Sequence, residues 1–353
     1  MGDFEQRKGV QTADPVVKVQ LFVSGFSKFF GVEENPTELI VGRLREENVN
    51  AVGGGFLPEG ATLEALDVLE VSAAACDEAV KGWARRPMAS AFGGSGKQQP
   101  PVVCERVHVH LGLCTSEEFR LEQRAANEAS FRCPDERGRQ PKEEPIDPGA
   151  AAGGLAGALH TTLPVAQLAQ ELGARGGWRG RLRTSEDAGR FVCNYLYYRS
   201  LAQAAAAARP APPSSSSSSA ALFLHVPHLE HVPLDDQVAF VKDLLAAVAA
   251  HALDAGARRA RAAAGLAPPC PEGHRMDYRV PYATEGFACD QCRAAVGGGR
   301  MGHHCPTCEF DVCQRCYAQM EERFALARAA KGETAPDLDL VERQEVCGGC
   351  SLM

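Results

Sequence analysis

The sequence predicts an α/β fold in which helices cover a mostly parallel β-sheet, followed by a small cysteine-rich module. Between residues 16 and about 255, short apolar runs alternate with amphipathic stretches, a pattern typical of a sheet packed between helices. From Cys270 onward this pattern gives way to cysteine pairs in a stretch rich in glycine and charge, which has little core of its own. The 353 residues are enough for both units.

The composition of the chain argues against several classes of function. The formal net charge of −8 at pH 7 argues against nucleic-acid binding over the whole chain. Residues 1–15 have the composition of a disordered lead-in and lack the apolar core of a secretory signal. No apolar run reaches the length of about 18 residues that predicts a spanning helix. These features predict a cytoplasmic protein with reduced cysteines.

Local patterns place the main elements of the α/β domain in order. Apolar runs predict strands at residues 16–23, 102–113 and 220–226. Helices are predicted at residues 36–47, which open with proline, at 184–208, which open with cap-type residues, and at 233–264, a stretch long enough to be broken. Stretches rich in glycine, proline or serine predict loops at residues 53–55, 93–100, 148–157 and 209–219.

Reactive side chains follow the predicted strands. The first strand leads to Phe26, the second leads towards Glu122, and the third carries His225 near its end. In open α/β sheets, sites gather beyond the carboxyl ends of the strands. Cys193 lies near the start of a predicted helix, where the helix dipole and a nearby imidazole can lower the pKa of a thiol. A nucleophile, a base and an orienting group could therefore converge on one edge of the sheet.

Residue types alone leave other interpretations open. A cysteine such as Cys193 is often a small buried apolar group, and His225 could equally be a core histidine. His228 and His231 favour a surface turn.

Four longer blocks decide between these interpretations. They are residues 21–36 (LFVSGFSKFFGVEENP), 119–140 (FRLEQRAANEASFRCPDERGRQ), 185–200 (SEDAGRFVCNYLYYRS) and 223–227 (FLHVP). In content and order they resemble the pyroglutamyl-peptidase I (pyrrolidone-carboxylate peptidase) family, and the second block resembles its plant-type members. The resemblance extends over roughly residues 16–250. It implies the family fold, a three-layer α/β/α sandwich.

The resemblance also implies an activity and a role for each site residue. Cys193 corresponds to the nucleophile, His225 to the base and Glu122 to the group that orients it. Substrate contacts are implied for Phe26, Phe29, Arg132, Phe191 and Val192. The implied reaction is hydrolysis of the bond after an N-terminal pyroglutamate in pyroglutamyl peptides. It requires no metal or organic cofactor for catalysis.

The cysteine-rich module, predicted over residues 266–322, contains four ligand pairs. They are Cys270/His274, Cys289/Cys292, Cys305/Cys308 and Cys313/Cys316. Paired ligands at this spacing can hold one tetrahedral ion between two pairs, so four pairs predict two structural Zn²⁺ sites rather than a disulfide scaffold. The order resembles the cysteine-rich zinc fingers of the protein-kinase-C and divergent plant type. That resemblance assigns the first and third pairs to one ion and the second and fourth pairs to the other.

Residues 323–353 are predicted to form a helix and a tail. The chain ends in Cys350-Ser351-Leu352-Met353, a C-a-a-X pattern in which the methionine favours farnesylation of Cys350. One prenyl chain anchors only marginally, and Cys347 could carry a palmitoyl chain as a second signal. If used, these sites would attach the protein peripherally to a membrane. A free tail is the alternative.

Three departures from the family pattern support a second functional hypothesis. Lys28 stands where the family has proline, Phe30 stands where it prefers glycine, and the turn at residues 112–115 is about one residue short. A bulky Phe30 is expected to narrow or reshape the lactam pocket. The alternative is a catalytically impaired peptidase fold that acts as a scaffold, with a zinc module that binds a protein or lipid partner.

Overall fold

A computed structural model describes most of the chain: residues 16–50, 55–87, 102–149, 154–175, 177–207, 218–263, 266–280, 282 and 285–331. The predicted lead-in at 1–15, the loop at 93–100, most of the 209–219 linker and both candidate lipidation cysteines, Cys347 and Cys350, lie outside these residues. Within the described part of the chain, no helix is long and apolar enough to cross a membrane.

The α/β domain is built on one six-stranded sheet. Its elements are β1 (Val16–Phe26), α1 (Pro36–Asn50), β2 (Ala61–Leu69), α2 (Ala73–Arg85), β3 (Val102–Leu113), β4 (Phe119–Glu122), β5 (Arg124–Ala126), β6 (Ala158–His160), α3 (Val165–Ala174), β7 (Leu182–Ser185), α4 (Val192–Ala207), β8 (Ser218–Val226) and α5 (Leu234–Ala263). The strand order is β2-β1-β3-β8-β4-β7. All neighbours are parallel except β4 and β8, so the predicted mostly parallel sheet is confirmed.

Helices cover both faces of the sheet. On one face, α1, α3 and α5 pack over a core that includes Leu21 of β1 and Leu224 of β8. On the other face, α2 and α4 pack over Phe22 and Phe223 from the same two strands. Neighbouring residues of a strand point to opposite faces, and this alternation supplies both cores. The result is the expected three-layer α/β/α arrangement.

Some predicted boundaries change. The predicted helix at 184–208 begins only at Val192, because Leu182–Ser185 form β7 and pair with β4. Gly189, with a φ of 77°, lies in the loop that joins β7 to α4. Cys193 is therefore the second residue of α4. The helix predicted at 233–264 is continuous, and α5 passes residue 255 without a break.

The cysteine-rich module follows α5 and packs against it. Its elements are β9 (Asp277–Arg279), β10 (Phe287–Ala288), β11 (Ala295–Val296), β12 (Gly302–Cys305), β13 (Phe310–Cys313) and α6 (Gln314–Ala330). β9, β12 and β13 form an antiparallel sheet, and β10 pairs with β11. Arg258 of α5 lies 4.9 Å from the centre of the Tyr278 ring and pairs with Glu321 of α6 at 3.7 Å.

Candidate active site and metal clusters

A cavity of about 470 Å³ lies where the carboxyl ends of the central strands meet the start of α4. Seven residues predicted from the sequence line this cavity: Phe26, Phe29, Arg132, Phe191, Val192, Cys193 and His225. Glu122 lies behind His225 and is fully buried. The structure thus gathers all the predicted residues of the peptidase site into one place.

Cys193, His225 and Glu122 form a continuous chain of interactions. Nδ1 of His225 donates a hydrogen bond to Oε1 of Glu122 at 2.7 Å. Burial opposes the charge of the His225 ring, but hydrogen bonds to Cys193 and Glu122, and their negative charges, outweigh it and raise the pKa of His225 to about 9. The ring is therefore cationic at neutral pH. This arrangement can supply a nucleophile, an acid–base group and a buried carboxylate that orients it.

The packing of the strands holds Cys193 and His225 in position. Gly112 of β3 lies opposite His225 of β8 in the register. A Cβ atom added to Gly112 would lie 2.9 Å from Sγ of Cys193 and 2.7 Å from the Phe223 ring. Cys193 can therefore pack against β3 only because residue 112 has no side chain. At the end of β4, the Tyr197 hydroxyl donates to the backbone oxygen of Glu122 at 2.8 Å.

The first turn of α4 faces the cavity. The N–H of Tyr195 bonds to the carbonyl of Phe191 at 3.1 Å, so the N–H groups before it precede the intrahelical pattern and can serve a ligand. The side chain of Asn194 holds the neighbouring segment: its Nδ2 donates to the carbonyls of Ala126 and Glu128, each at 2.9 Å. The sequence analysis did not identify Asn194, although it lies in the block at residues 185–200.

Aromatic side chains form one wall of the cavity. The guanidinium of Arg132 lies 5.7 Å from the centre of the Phe191 ring, and Phe131 packs edge-on against the same ring at 4.9 Å. These contacts fix Phe191 beside Cys193. Together with Phe26 and Phe29, Phe191 gives this side of the cavity an apolar surface.

One expectation about the cavity needs correction. The side chain of Phe30 is 94% exposed and does not line the cavity, so it does not narrow the pocket. His228 and His231 lie on a turn as expected, and His228 also lines the cavity. The short turn lies where it was expected, because Cys114 and Thr115 line the cavity.

Sequence reasoning also missed a cationic residue of the cavity wall. Arg120 lines the cavity and lies opposite His225 in the antiparallel pairing of β4 with β8. The sequence could have indicated Arg120 by its position two residues before Glu122, because residues two apart in a strand share a face. The antiparallel direction of β4, which brings Arg120 beside His225, was not visible in the sequence.

The eight candidate metal ligands come together in two groups. One group holds Cys270, His274, Cys305 and Cys308, and the other holds Cys289, Cys292, Cys313 and Cys316. In each group the ligand atoms lie within 4.8 Å of one another. Arg293 and Glu309 follow the second cysteine of their pairs with φ values of 62° and 54°, so the chain turns tightly there. These sulfur and imidazole donors suit a tetrahedral ion such as Zn²⁺.

His303 and His304 of the module lie outside both ligand groups and contact other side chains. Nδ1 of His304 lies 2.7 Å from a carboxylate oxygen of Asp311. The His303 ring stacks on the ring of Tyr317 and is buried. Neither histidine belongs to a ligand group.

Known proteins resemble the α/β domain. The family model described as pyroglutamyl peptidase matches residues 104–262. A pyrrolidone-carboxylate peptidase of Gloeobacter violaceus is 29% identical over 216 residues, which span 60% of this chain and 82% of that protein. A second, from Pyrococcus furiosus, is 29% identical over 130 residues, 36% of this chain and 55% of that protein, so the match spans about half of that relative.

Two solved structures are also similar to this chain. Pyrrolidone carboxyl peptidase from Thermus thermophilus is 26% identical, with a TM-score of 0.45 over 64% of this chain and 98% of that chain. The corresponding protein from Fervidobacterium islandicum is 23% identical, with a TM-score of 0.49 over 65% of this chain and 97% of that chain.

A cysteine, a histidine and a buried carboxylate aligned at the edge of an α/β sheet are the groups that a cysteine peptidase requires. The family match over residues 104–262 includes all three side chains. Residues 104–262 therefore resemble the pyroglutamyl peptidase family, and the relatives support a pyroglutamyl-peptidase I-like enzyme.

Proposed function

We propose that this protein removes N-terminal pyroglutamate from peptides, with Cys193 as nucleophile, His225 as acid–base group and Glu122 as orienting group. The alignment of these three side chains beside a largely aromatic wall supports the proposal. The names of the relatives, pyrrolidone-carboxylate peptidases, support the choice of substrate.

The cavity suits a lactam better than a free N-terminus. Pyroglutamate has no charged α-amine, so its ring needs an apolar slot with a few amide partners rather than a carboxylate. Phe26, Phe29 and Phe191 supply the apolar surface. The backbone at Phe191 and Val192 would hydrogen-bond the lactam amide, and Arg132 would hold the Phe191 ring in position.

Acylation begins with attack of the Cys193 thiolate on the carbonyl carbon that joins pyroglutamate to the next residue. Negative charge then develops on the carbonyl oxygen, where N–H groups of the first turn of α4 would stabilise it. His225, cationic at neutral pH, donates its proton to the leaving amine as the C–N bond breaks. The leaving peptide departs and a pyroglutamyl thioester remains on Cys193.

Deacylation reverses these roles. Neutral His225 accepts a proton from a water molecule as its oxygen attacks the thioester carbonyl, and the C–S bond then breaks to regenerate the Cys193 thiolate. Glu122 accepts the Nδ1–H of His225 throughout, which keeps the other ring nitrogen facing Cys193. The reaction needs no cofactor.

Release of a fluorescent amine from a pyroglutamyl-amide substrate tests this function. The full-length protein should release the amine, and Cys193→Ser should abolish release. Cys133→Ser is the matched control, because Cys133 is partly exposed and does not line the cavity. No release by folded, reduced, metal-loaded protein would reject the peptidase and favour the scaffold alternative.

We also propose that each cysteine group of the module holds one structural Zn²⁺. Four donors in each group would fill a tetrahedral shell, so neither ion would keep a position open for substrate. The core of the module supports this role, because its buried cluster consists largely of the ligand cysteines with Met276, Val312 and Tyr317. Structural zinc would supply much of the folding free energy, about 10–16 kcal/mol per site.

Metal content measured on the purified chain tests the zinc proposal. The expected value is about two zinc ions per chain, falling to about one in Cys305→Ser and in Cys289→Ser. Cys133→Ser, outside both groups, should retain both ions. A wild-type protein without stoichiometric zinc after expression with zinc would reject the proposal.

A further inference from the structure

Arg120 occupies a particular place relative to the catalytic histidine. In the register of β4 and β8, Arg120 lies directly opposite His225. Residues directly opposite in an antiparallel pair have Cβ atoms about 5 Å apart on the same face of the sheet. Glu122, two residues further along β4, shares that face and reaches His225. Arg120 is therefore the next side chain beside His225 and lines the same cavity.

Arg120 forms no salt bridge in the described part of the chain, and its charge attracts the Glu118 carboxylate only at longer range. Its Nε is buried and has no hydrogen-bond partner there. The nearby carboxylate of Glu118 is engaged by Arg183, with N–O distances of 2.6 and 2.9 Å. Arg190, also on the cavity wall, differs because it pairs with Asp187 and Glu128. A partly buried guanidinium with free N–H groups is suited to bind an anionic ligand.

The position of Arg120 defines which part of a substrate it can contact. Pyroglutamate is placed against the aromatic wall formed by Phe26, Phe29 and Phe191. The leaving amine must lie beside His225, which gives it a proton. The α-carboxylate of a leaving amino acid is only two bonds from that amine nitrogen, so a guanidinium next to His225 is within reach of it.

We propose that Arg120 is a specificity-determining residue that binds the free α-carboxylate of the leaving amino acid. The favoured substrates are then pyroglutamyl dipeptides with an unblocked C-terminus. This inference rests on the proposed peptidase function and names the substrate class of the same site. An arginine–carboxylate contact formed as the substrate binds lowers KM, and stabilises the leaving amino acid as the C–N bond breaks.

A pair of substrates that differ only in this group tests the proposal. They are pyroglutamyl-alanine and pyroglutamyl-alanine amide, with released pyroglutamate measured by chromatography. Wild-type protein should show a kcat/KM about tenfold or more higher for the acid, the effect of one charge-assisted hydrogen bond. Arg120→Gln should remove the preference by lowering kcat/KM for the acid alone. Arg120→Lys, which keeps the charge, should retain part of it.

Arg124→Gln is the matched control. Arg124 lies in the neighbouring strand β5, carries the same charge, contacts Glu186 and does not line the cavity, so its replacement should leave the preference intact. Equal use of acid and amide by the wild-type protein would overturn the proposal. So would an equal loss for both substrates in Arg120→Gln with a shifted pH profile, because Arg120 would then act through His225 or Glu122.

The two proposals fail in different ways. The fluorescent amide has a neutral leaving group, so its cleavage reports the peptidase function without Arg120. If that amide is cleaved while the acid and amide dipeptides are used equally, only the specificity proposal fails. If no pyroglutamyl substrate is cleaved, the peptidase function itself fails and the specificity proposal fails with it.

Discussion

Nδ1 of His225 lies 2.7 Å from Oε1 of Glu122, at the back of the cavity whose front wall holds Cys193. Glu122 is wholly buried, and its second carboxylate oxygen has no hydrogen-bond partner in the described part of the chain. Its hydrogen bond and its negative charge both act on the histidine ring. The protonation of His225 therefore depends on the Glu122 carboxylate, and substitution of either residue tests this dependence.

Glu122→Gln should lower kcat on a pyroglutamyl amide by about 10²- to 10⁴-fold. The amide side chain keeps the size of the carboxylate but loses the charge that stabilises the cationic ring, and it can bond the wrong tautomer. The rate should be measured at saturating substrate, with folding checked by circular dichroism.

Glu171→Gln provides the matched control for this variant. Glu171 also pairs with a histidine, His251, at 3.0 Å, but that pair joins α3 to α5 away from the cavity. Its loss should leave kcat unchanged. If Glu122→Gln retains full activity, the carboxylate does not orient His225 during the reaction.

The activity should fall as the pH rises past about 9. The pKa of His225 is raised to about 9, and above that value the ring can no longer give a proton to the leaving amine. In Glu122→Gln one of the two hydrogen bonds that raise this pKa is weakened, so the alkaline limb should move to lower pH. A profile of kcat/KM against pH measures the alkaline limb in both proteins. An identical alkaline limb would contradict the assignment of this limb to His225.

The free energy of unfolding should also depend on the protonation of His225. The folded pKa of His225 lies above the value of about 6.5 expected in the unfolded chain. The charged ring therefore stabilises the fold fully below about pH 6.5, and this contribution is lost as the pH rises through 9. Urea unfolding at several pH values should show the loss in wild-type protein, and His225→Gln should lack it.

Much of the site could be predicted because its residues lie in short local blocks. The strand at 102–113 was predicted at its observed bounds, since its apolar residues alternate with His108 and His110 in a pattern typical of a strand. The two metal groups follow from ligand spacing, because two ligands with two or three residues between them can turn towards one ion.

Features that depend on tertiary contacts were not predictable in the same way. Ser185 has the character of a helix cap, yet it pairs with Glu122 as the last residue of β7, which delays α4 to Val192. Phe30 sits at the corner of a turn closed by hydrogen bonds between Phe29 and Val32, and this geometry directs its ring into solvent. The sequence shows the bulk of Phe30 but not its direction.

Gly112→Ala should abolish most activity. The added methyl group would lie 2.9 Å from the sulfur of Cys193 and 2.7 Å from the Phe223 ring, so either the thiol or the strand must move. A shift of about 1 Å at a nucleophile can cost on the order of 10²-fold in rate. The overpacking should also lower the free energy of unfolding by about 1–3 kcal/mol.

Gly82→Ala is a useful comparison for Gly112→Ala. Gly82 lies within α2, and an added Cβ would meet nothing within 4 Å. The variant should keep its activity and gain up to about 1 kcal/mol of stability, because alanine is the better helix former. Full activity in Gly112→Ala would show that Cys193 does not need its close packing against β3.

Removal of metal from the module should change stability more than catalysis. α5 begins near the catalytic end of β8 and runs back along the sheet, so a 30-residue helix places its far end about 45 Å from its start. The module contacts that far end through Arg258, which lies over Tyr278 and pairs with Glu321. Loss of the ions should therefore expose the last turns of α5 to hydrogen exchange and lower the unfolding temperature, while kcat/KM on the pyroglutamyl amide stays within about twofold. Chelator-treated and zinc-restored protein should be compared in all three measurements, because a fall in kcat/KM that follows metal content and reverses with zinc would instead make the module a regulator of the distant cavity.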